Sequence, residues 1–164
     1  MSFEYKKTYL LLGSNLGNRE LLLENAIKMI EREIGEVFAK SSVYETAAWG
    51  KTDQPNFLNL ALGVQTSLTP IKLLNSIMAI ENKLGRIREE KWGARLIDID
   101  VILFGNEVVN LDDVLRIPHI EMQNRKFVLQ PLAEIAPNQI HPILKKTILE
   151  LLNDLNDSLL VAKR

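Results

Sequence analysis

The chain predicts an α+β fold: a ferredoxin-like βαββαβ sandwich of one antiparallel sheet with helices packed on one face and additional C-terminal helices. Three observations predict it. Two stretches repeat apolar residues at helical spacing, and four others have the branched or alternating pattern of strands. Turn residues separate them so that each helix falls between two strands. With 164 residues, 46% apolar and 25% charged, there is material for one core, so a single domain over 1–164 is expected.

Tyr9 to Leu12 reads as a short buried strand, ended by Gly13-Ser14-Asn15-Leu16-Gly17-Asn18. A helix from Arg19 to Ile34 follows, with Asn18 as N-cap and Gly35 as the C′ residue. Leu23, Ile27, Ile30 and Ile34 share one of its faces. Val37 to Tyr44 reads as strand two and Phe57 to Gln65 as strand three, beyond a loop containing Gly50 and Pro55. Thr69-Pro70 opens a second helix whose stripe is Leu73, Ile77, Ile80 and Leu84, ending at Gly85. Strand four is Leu96 to Phe104, and the Gly105-Asn106 turn is expected to return Glu107 to Val109 as a short edge strand. Helices from Phe127 to Ile135 and from Thr147 to Leu155 are expected as an appendage.

The charge balance narrows the function. Twenty basic against 21 acidic residues give a net charge of −1, so a broad nucleic-acid or anionic-membrane footprint is not indicated and any basic site is local. The chain has no Cys, and its only histidines are His119 and His141, so thiolate metal sites, disulfides and a three-histidine zinc site are excluded. A hard, oxygen-ligated ion such as Mg²⁺ remains open. No run approaches the ~20 apolar residues of a membrane span, and a cytoplasmic location is the expectation.

The densest chemical signal runs from Lys91 to Ile102. Asp98 and Asp100 stand two apart among Ile97, Ile99 and Val101, so a strand there points both carboxylates the same way, about 6.5 Å apart along the chain. Such a pair suits one or two divalent ions and a phosphoryl displacement. An ordinary exposed ion pair is the competing reading, weakened because like charges on one face repel and Asp is a poor strand former. Lys83, Arg86, Arg88, Lys91 and Arg95 crowd just before it, which favours an acidic substrate. The Gly13-to-Gly17 loop is placed for anion binding at a helix N-terminus, but it equally suits a tight βα turn.

Phe57 and Asn59 fall on the strand face opposite Leu58, and an aromatic beside an amide suits a flat heterocycle with a lactam edge. Both residue types also have ordinary structural uses. Trp49 and Trp92 lie in polar or Gly-containing loops, as rings that close over a ligand do. His119, followed by Arg125, is placed either for phosphate contact or for a structural role.

Taken together these residues resemble the 6-hydroxymethyl-7,8-dihydropterin pyrophosphokinase family. Its signature is a basic residue, Gly, a small residue, then Arg-x-x-Asp-x-Asp and two aliphatics, and Lys91 to Ile102 fits throughout. Also similar are Gly13 to Gly17, Asp53 to Asn59, Gly85-Arg86-x-Arg88, Phe104 to Glu107, and Pro118-His119 with Asn124-Arg125 and Phe127. The resemblance implies transfer of pyrophosphate from ATP to the hydroxymethyl group of 6-hydroxymethyl-7,8-dihydropterin, releasing AMP, in folate biosynthesis. It implies two Mg²⁺ ions on Asp98 and Asp100, with Asp100 also able to accept the proton. Arg86, Arg88 and Arg95 would act on the phosphates in catalysis, and His119 and Arg125 would bind nucleotide. Phe57 and Phe127 would sandwich the pterin, Asn59 would pair with its edge, Thr46 and Ala48 would add contacts, and Trp49 and Trp92 would close over it.

The chain departs from the family pattern at Ala47-Ala48-Trp49, Val114 and Ile120, with Arg116 a candidate to restore the charge absent at Val114, and its loop between Arg88 and Trp92 is a residue short. Two other classes compete: another Mg²⁺-dependent small-molecule kinase, and a ferredoxin-like ligand- or RNA-binding module, against which the two carboxylates speak. The partners expected are ATP and the pterin, with no nucleic acid, no membrane and a monomeric state.

Overall fold

The computed structural model of the chain describes residues 4–46, 56–85, 96–156 and 161–164. The elements are β1 (Lys6–Ser14), α1 (Arg19–Glu33), β2 (Gly35–Lys40), β3 (Tyr44–Thr46), β4 (Phe57–Thr66), α2 (Pro70–Gly85), β5 (Asp98–Phe104), β6 (Val109–Asn110), β7 (Arg116–Ile117), α3 (Lys126–Ile135), α4 (Ile148–Asp154) and β8 (Val161–Lys163). A 3₁₀ turn, Met122–Asn124, precedes α3. The main sheet is antiparallel in the order β5-β1-β4-β3-β8, with β2 also paired to β4. The βαββαβ topology is therefore present, with β2 and β3 together taking the place of the second strand.

The caps explain where the helices start. The Asn18 side chain accepts from the Leu21 N–H, and Thr147 with Glu150 forms a reciprocal capping box at α4. Leu23, Ala26 and Ile30 of α1 and Leu73, Ile77 and Ile80 of α2 pack on Leu10, Leu12, Leu58, Leu60 and Leu62 of the sheet. No helix among the described residues is long and apolar enough to cross a membrane.

Four sequence expectations are corrected. Strand two is broken at 41–43, because the Ser41 hydroxyl accepts the Ala61 N–H at 2.8 Å and takes a ladder position that a backbone carbonyl would otherwise fill. Gly35 stands at C′, just after the Ile34 cap, but begins β2 in place of a left-handed turn, and a Cβ there would lie 2.0 Å from the Gln65 carbonyl oxygen. The residues after the Gly105-Asn106 turn do not return along β5, since β6 pairs with β7 in a separate small sheet. Helices cover both faces: α3 and α4 bury a second cluster, Tyr9, Leu11, Ala61, Ile102, Leu103, Val128, Leu129, Leu132 and Ile148 among it, against the face opposite α1 and α2. A bulge makes this second cluster deeper. Between β1 and β5 the register skips Ile102, so Ile102 and Leu103 both join the α3 side.

Candidate active site

Alternation along the strands puts chemistry on the face that α3 only partly covers. In β4, Leu58 and Leu60 point to α1 and α2, which leaves Phe57, Asn59 and Ala61 on the other face. The pairing registers then align Tyr44, Asn59, Gly13 and Asp98 in one rung across β3, β4, β1 and β5. Ala61, Leu11 and Asp100 form the rung two residues toward α3, and Thr46 and Phe57 form the rung on the other side.

Gly13 is what makes the rung usable. A Cβ at this position would lie 2.7 Å from Asn59 Nδ2, so the amide occupies space that any other residue would fill. Asn59 is 5% exposed, and its Nδ2 makes one long hydrogen bond, 3.4 Å, to the Leu12 carbonyl. The residue between the amide and the Asp98 carboxylate thus carries no side chain.

Two neighbouring side chains hold buried polar atoms without hydrogen-bond partners. Both amide atoms of Asn15 and the Thr46 hydroxyl are in this state. Each such group costs about 1–3 kcal/mol when nothing satisfies it, a cost a polar ligand removes. In the sequence Asn15 is one residue of the Gly13-to-Gly17 loop, with nothing to set it apart from its neighbours. Only its burial, which no pattern in the chain encodes, singles it out.

At the far edge the bulged Ile102 carbonyl accepts the His119 backbone N–H at 3.0 Å, which brings the imidazole to the Asp100 side of the sheet. His119 Nδ1 accepts from the Glu121 N–H at 3.2 Å, leaving Nε2 as the donor. Burial lowers its pKa, the Asp100 charge works the other way, and Arg125 adds to the lowering. Arg125, extended just before α3, lies 5.8 Å over the Phe127 ring. On the outer edge of β5, Glu81 Oε2 accepts the Ile99 N–H at 2.8 Å.

A cleft of about 480 Å³ runs beside β5, apolar where Leu74, Ile99 and Leu115 line it and polar where Asp100, Arg116 and His119 do. Val114 and Ile120, two of the departures from the family pattern, line the same cleft, as does Arg116. Arg86, Arg88, Arg95, Ala48, Trp49 and Trp92 lie outside the described residues. Among the described residues no group of three or more His, Asp or Glu gathers as a metal cage. A carboxylate pair is nevertheless the donor set Mg²⁺ uses when substrate phosphates complete its shell.

A carboxylate pair, an amide and an aromatic ring share one sheet face of a ferredoxin-like α+β frame, with a histidine and an arginine at its rim. A sequence model of the family described as "7,8-dihydro-6-hydroxymethylpterin-pyrophosphokinase (HPPK)" matches residues 9–137. The chain is 45% identical over 142 residues to the 2-amino-4-hydroxy-6-hydroxymethyldihydropteridine pyrophosphokinase of Aquifex aeolicus, covering 87% of this chain and 88% of that protein. It is 44% identical over 129 residues to the protein of the same name from Bacillus subtilis, covering 78% and 77% respectively. The chain belongs to the 7,8-dihydro-6-hydroxymethylpterin-pyrophosphokinase family.

Among solved structures, a Plasmodium falciparum HPPK-DHPS triple mutant with SDX-DHP superposes with a TM-score of 0.77 at 20% identity, covering 93% of this chain and 44% of that one. The wild type of that protein with pteroate gives 0.74, covering 93% and 43%. The chain spans less than half the length of these solved chains, and at this identity the likeness establishes the fold.

Proposed function

We propose that the chain transfers the terminal pyrophosphoryl group of ATP to the hydroxymethyl oxygen of 6-hydroxymethyl-7,8-dihydropterin, the reaction for which its relatives are named. The hydroxyl oxygen attacks the β-phosphorus, the bond from that phosphorus to the α-phosphate oxygen breaks, and AMP leaves. The observation that carries this reading is the Asn59–Gly13–Asp98 rung, which faces a ring-reading amide toward a carboxylate across a residue without a side chain.

In this reading Phe57 and Phe127 hold the pterin ring between sheet and helix, and Asn59 pairs with its lactam edge. Asn15 and the Thr46 hydroxyl, buried and unpaired, supply further polar contacts. Asp98 and Asp100 would hold Mg²⁺, two ions in the full proposal, which when bound offsets phosphate charge and acidifies the hydroxyl. Asp100 accepts the proton of the attacking hydroxyl. His119, neutral with Nε2 as donor, and Arg125 bind the nucleotide phosphates. Arg86, Arg88 and Arg95 are proposed to close on the transferring phosphates, with Ala48, Trp49 and Trp92 closing over the pterin.

Phosphorus NMR of the protein with ATP, Mg²⁺ and the pterin tests the proposal. AMP and a pterin diphosphate are expected, dependent on Mg²⁺. ADP as product would make the chain a single-phosphoryl kinase, and no turnover would return it to the binding modules of this fold.

A further inference from the structure

Glu134 lies near the C-terminal end of α3, far along the helix from any residue placed in the transfer itself. Its carboxylate reaches back to the sheet. Glu134 Oε1 accepts from the Tyr44 hydroxyl at 2.6 Å, and Oε2 accepts from both the Ser42 N–H at 2.9 Å and the Ser42 hydroxyl at 3.1 Å. Tyr44 is 4% exposed and pairs with Asn59 in the rung that ends at Asp98; two residues on, Thr46 pairs with Phe57. On the helix, Phe127 precedes Glu134 by seven residues, two turns, so both project from one face about 10 Å apart along the axis.

We infer that Glu134 is a positioning residue for the pterin: it fixes the separation between the sheet wall of the pocket, Thr46, Phe57 and Asn59, and its helix wall, Phe127. The inference rests on the reading of these residues as the pterin pocket. Three hydrogen bonds accepted by one carboxylate tie α3 to Tyr44, the first residue of β3, and to Ser42 just before it, while β3 itself lies between β4 and the three-residue strand β8. Loss of the carboxylate leaves the buried Tyr44 hydroxyl without its acceptor and frees β3 to shift against the helix, which changes the gap a flat ring must fill. Burial and the neighbouring carboxylate push Tyr44 up to about 12; burial opposes the Glu134 charge, but hydrogen bonds from Tyr44 and Ser42 outweigh it and hold that carboxyl below its usual range.

The test is direct binding of 6-hydroxymethyl-7,8-dihydropterin, by its fluorescence, to the full chain with Mg²⁺ and a non-hydrolysable ATP analogue, with the Kd of the analogue measured separately. Glu134→Ala is expected to weaken pterin binding about tenfold while leaving the analogue's Kd unchanged, and Glu134→Gln, which keeps one acceptor for Tyr44, to recover most of the loss. Tyr44→Phe should weaken pterin binding by itself and add little to Glu134→Ala. If Glu134→Ala does not fold, Glu134→Gln and Tyr44→Phe decide, and unchanged pterin binding in both overturns the inference. Equal weakening of pterin and analogue in any variant that folds also overturns it, as an unspecific loss of structure. A wild-type chain that binds no pterin overturns the pocket reading itself, whereas wild-type binding with an indifferent Glu134→Ala overturns the positioning role alone.

Discussion

The two faces of the central sheet are made by the same strands and do opposite work. Toward α1 and α2 the alternate residues are mostly apolar, as with Leu58, Leu60 and Leu62 of β4, and the layer is closed. Toward α3 and α4 the apolar cluster covers only part of the face, and the remainder holds Asn59 and Asp98 in register with Gly13, and Asp100 one rung on. A one-residue step along a strand moves from core to chemistry.

Substitutions on the two faces should therefore separate activity from stability. The largest effect is expected from Asp98→Asn or Asp100→Asn, which should lower turnover on the order of 10³-fold, about 4 kcal/mol of transition-state stabilisation. Their thermal midpoints should stay close to wild type. Steady-state rates beside calorimetry check this, and near-normal turnover in both variants would remove the carboxylates from the reaction. One residue away from Asn59, Leu58→Ala should behave in the opposite manner, costing about 2–5 kcal/mol of stability with turnover per folded molecule retained. Urea unfolding measures the first quantity and active-site titration the second; a selective loss of turnover would blur the division between the faces.

Gly13→Ala sharpens the comparison within the open face. The added Cβ collides with Asn59 Nδ2, so pterin affinity should fall about tenfold, roughly 1.4 kcal/mol, while nucleotide affinity holds. Equal affinities for wild type and variant would mean that the amide has somewhere else to go.

The smallest effect concerns the α4 side. His141 is buried, and its Nδ1 accepts from the Ile143 and Leu144 N–H groups at 3.2 and 3.1 Å. Burial lowers its pKa below the ordinary value. The unfolded chain then binds the proton first as pH falls, so the stabilisation is complete above about 6.5 and is lost as pH drops below that through the folded value. Urea midpoints from pH 7.5 to 5 should decline less steeply for His141→Gln than for wild type, and parallel curves would assign the acid sensitivity elsewhere.

Much of the open face was legible beforehand. Asp98, Asp100, Phe57 and Asn59 stand out because period two makes their shared side of a strand a matter of counting. Asn15 and Glu134 were not legible. Asn15 sits in a glycine-containing turn where asparagine is ordinary, and Glu134 contacts Ser42 and Tyr44 across about ninety residues of chain. The second apolar layer was missed for a similar reason. The spacing of α3 and α4 shows that each has an apolar side, but nothing in either helix states which surface that side meets.

By itself the sequence determined the βαββαβ order of the core, the Asn18 cap of α1, the two faces of β4 and of the start of β5 and the membership of the family, because these rest on local spacing and on motifs read along the chain. The tertiary structure alone decided that α3 and α4 cover the second face, that the Ile102 bulge turns His119 toward Asp100, and that Gly13 stands between Asn59 and Asp98. Those depend on pairing register and on contacts between distant segments, which are set by the packing of the whole chain and by no stretch of it in isolation.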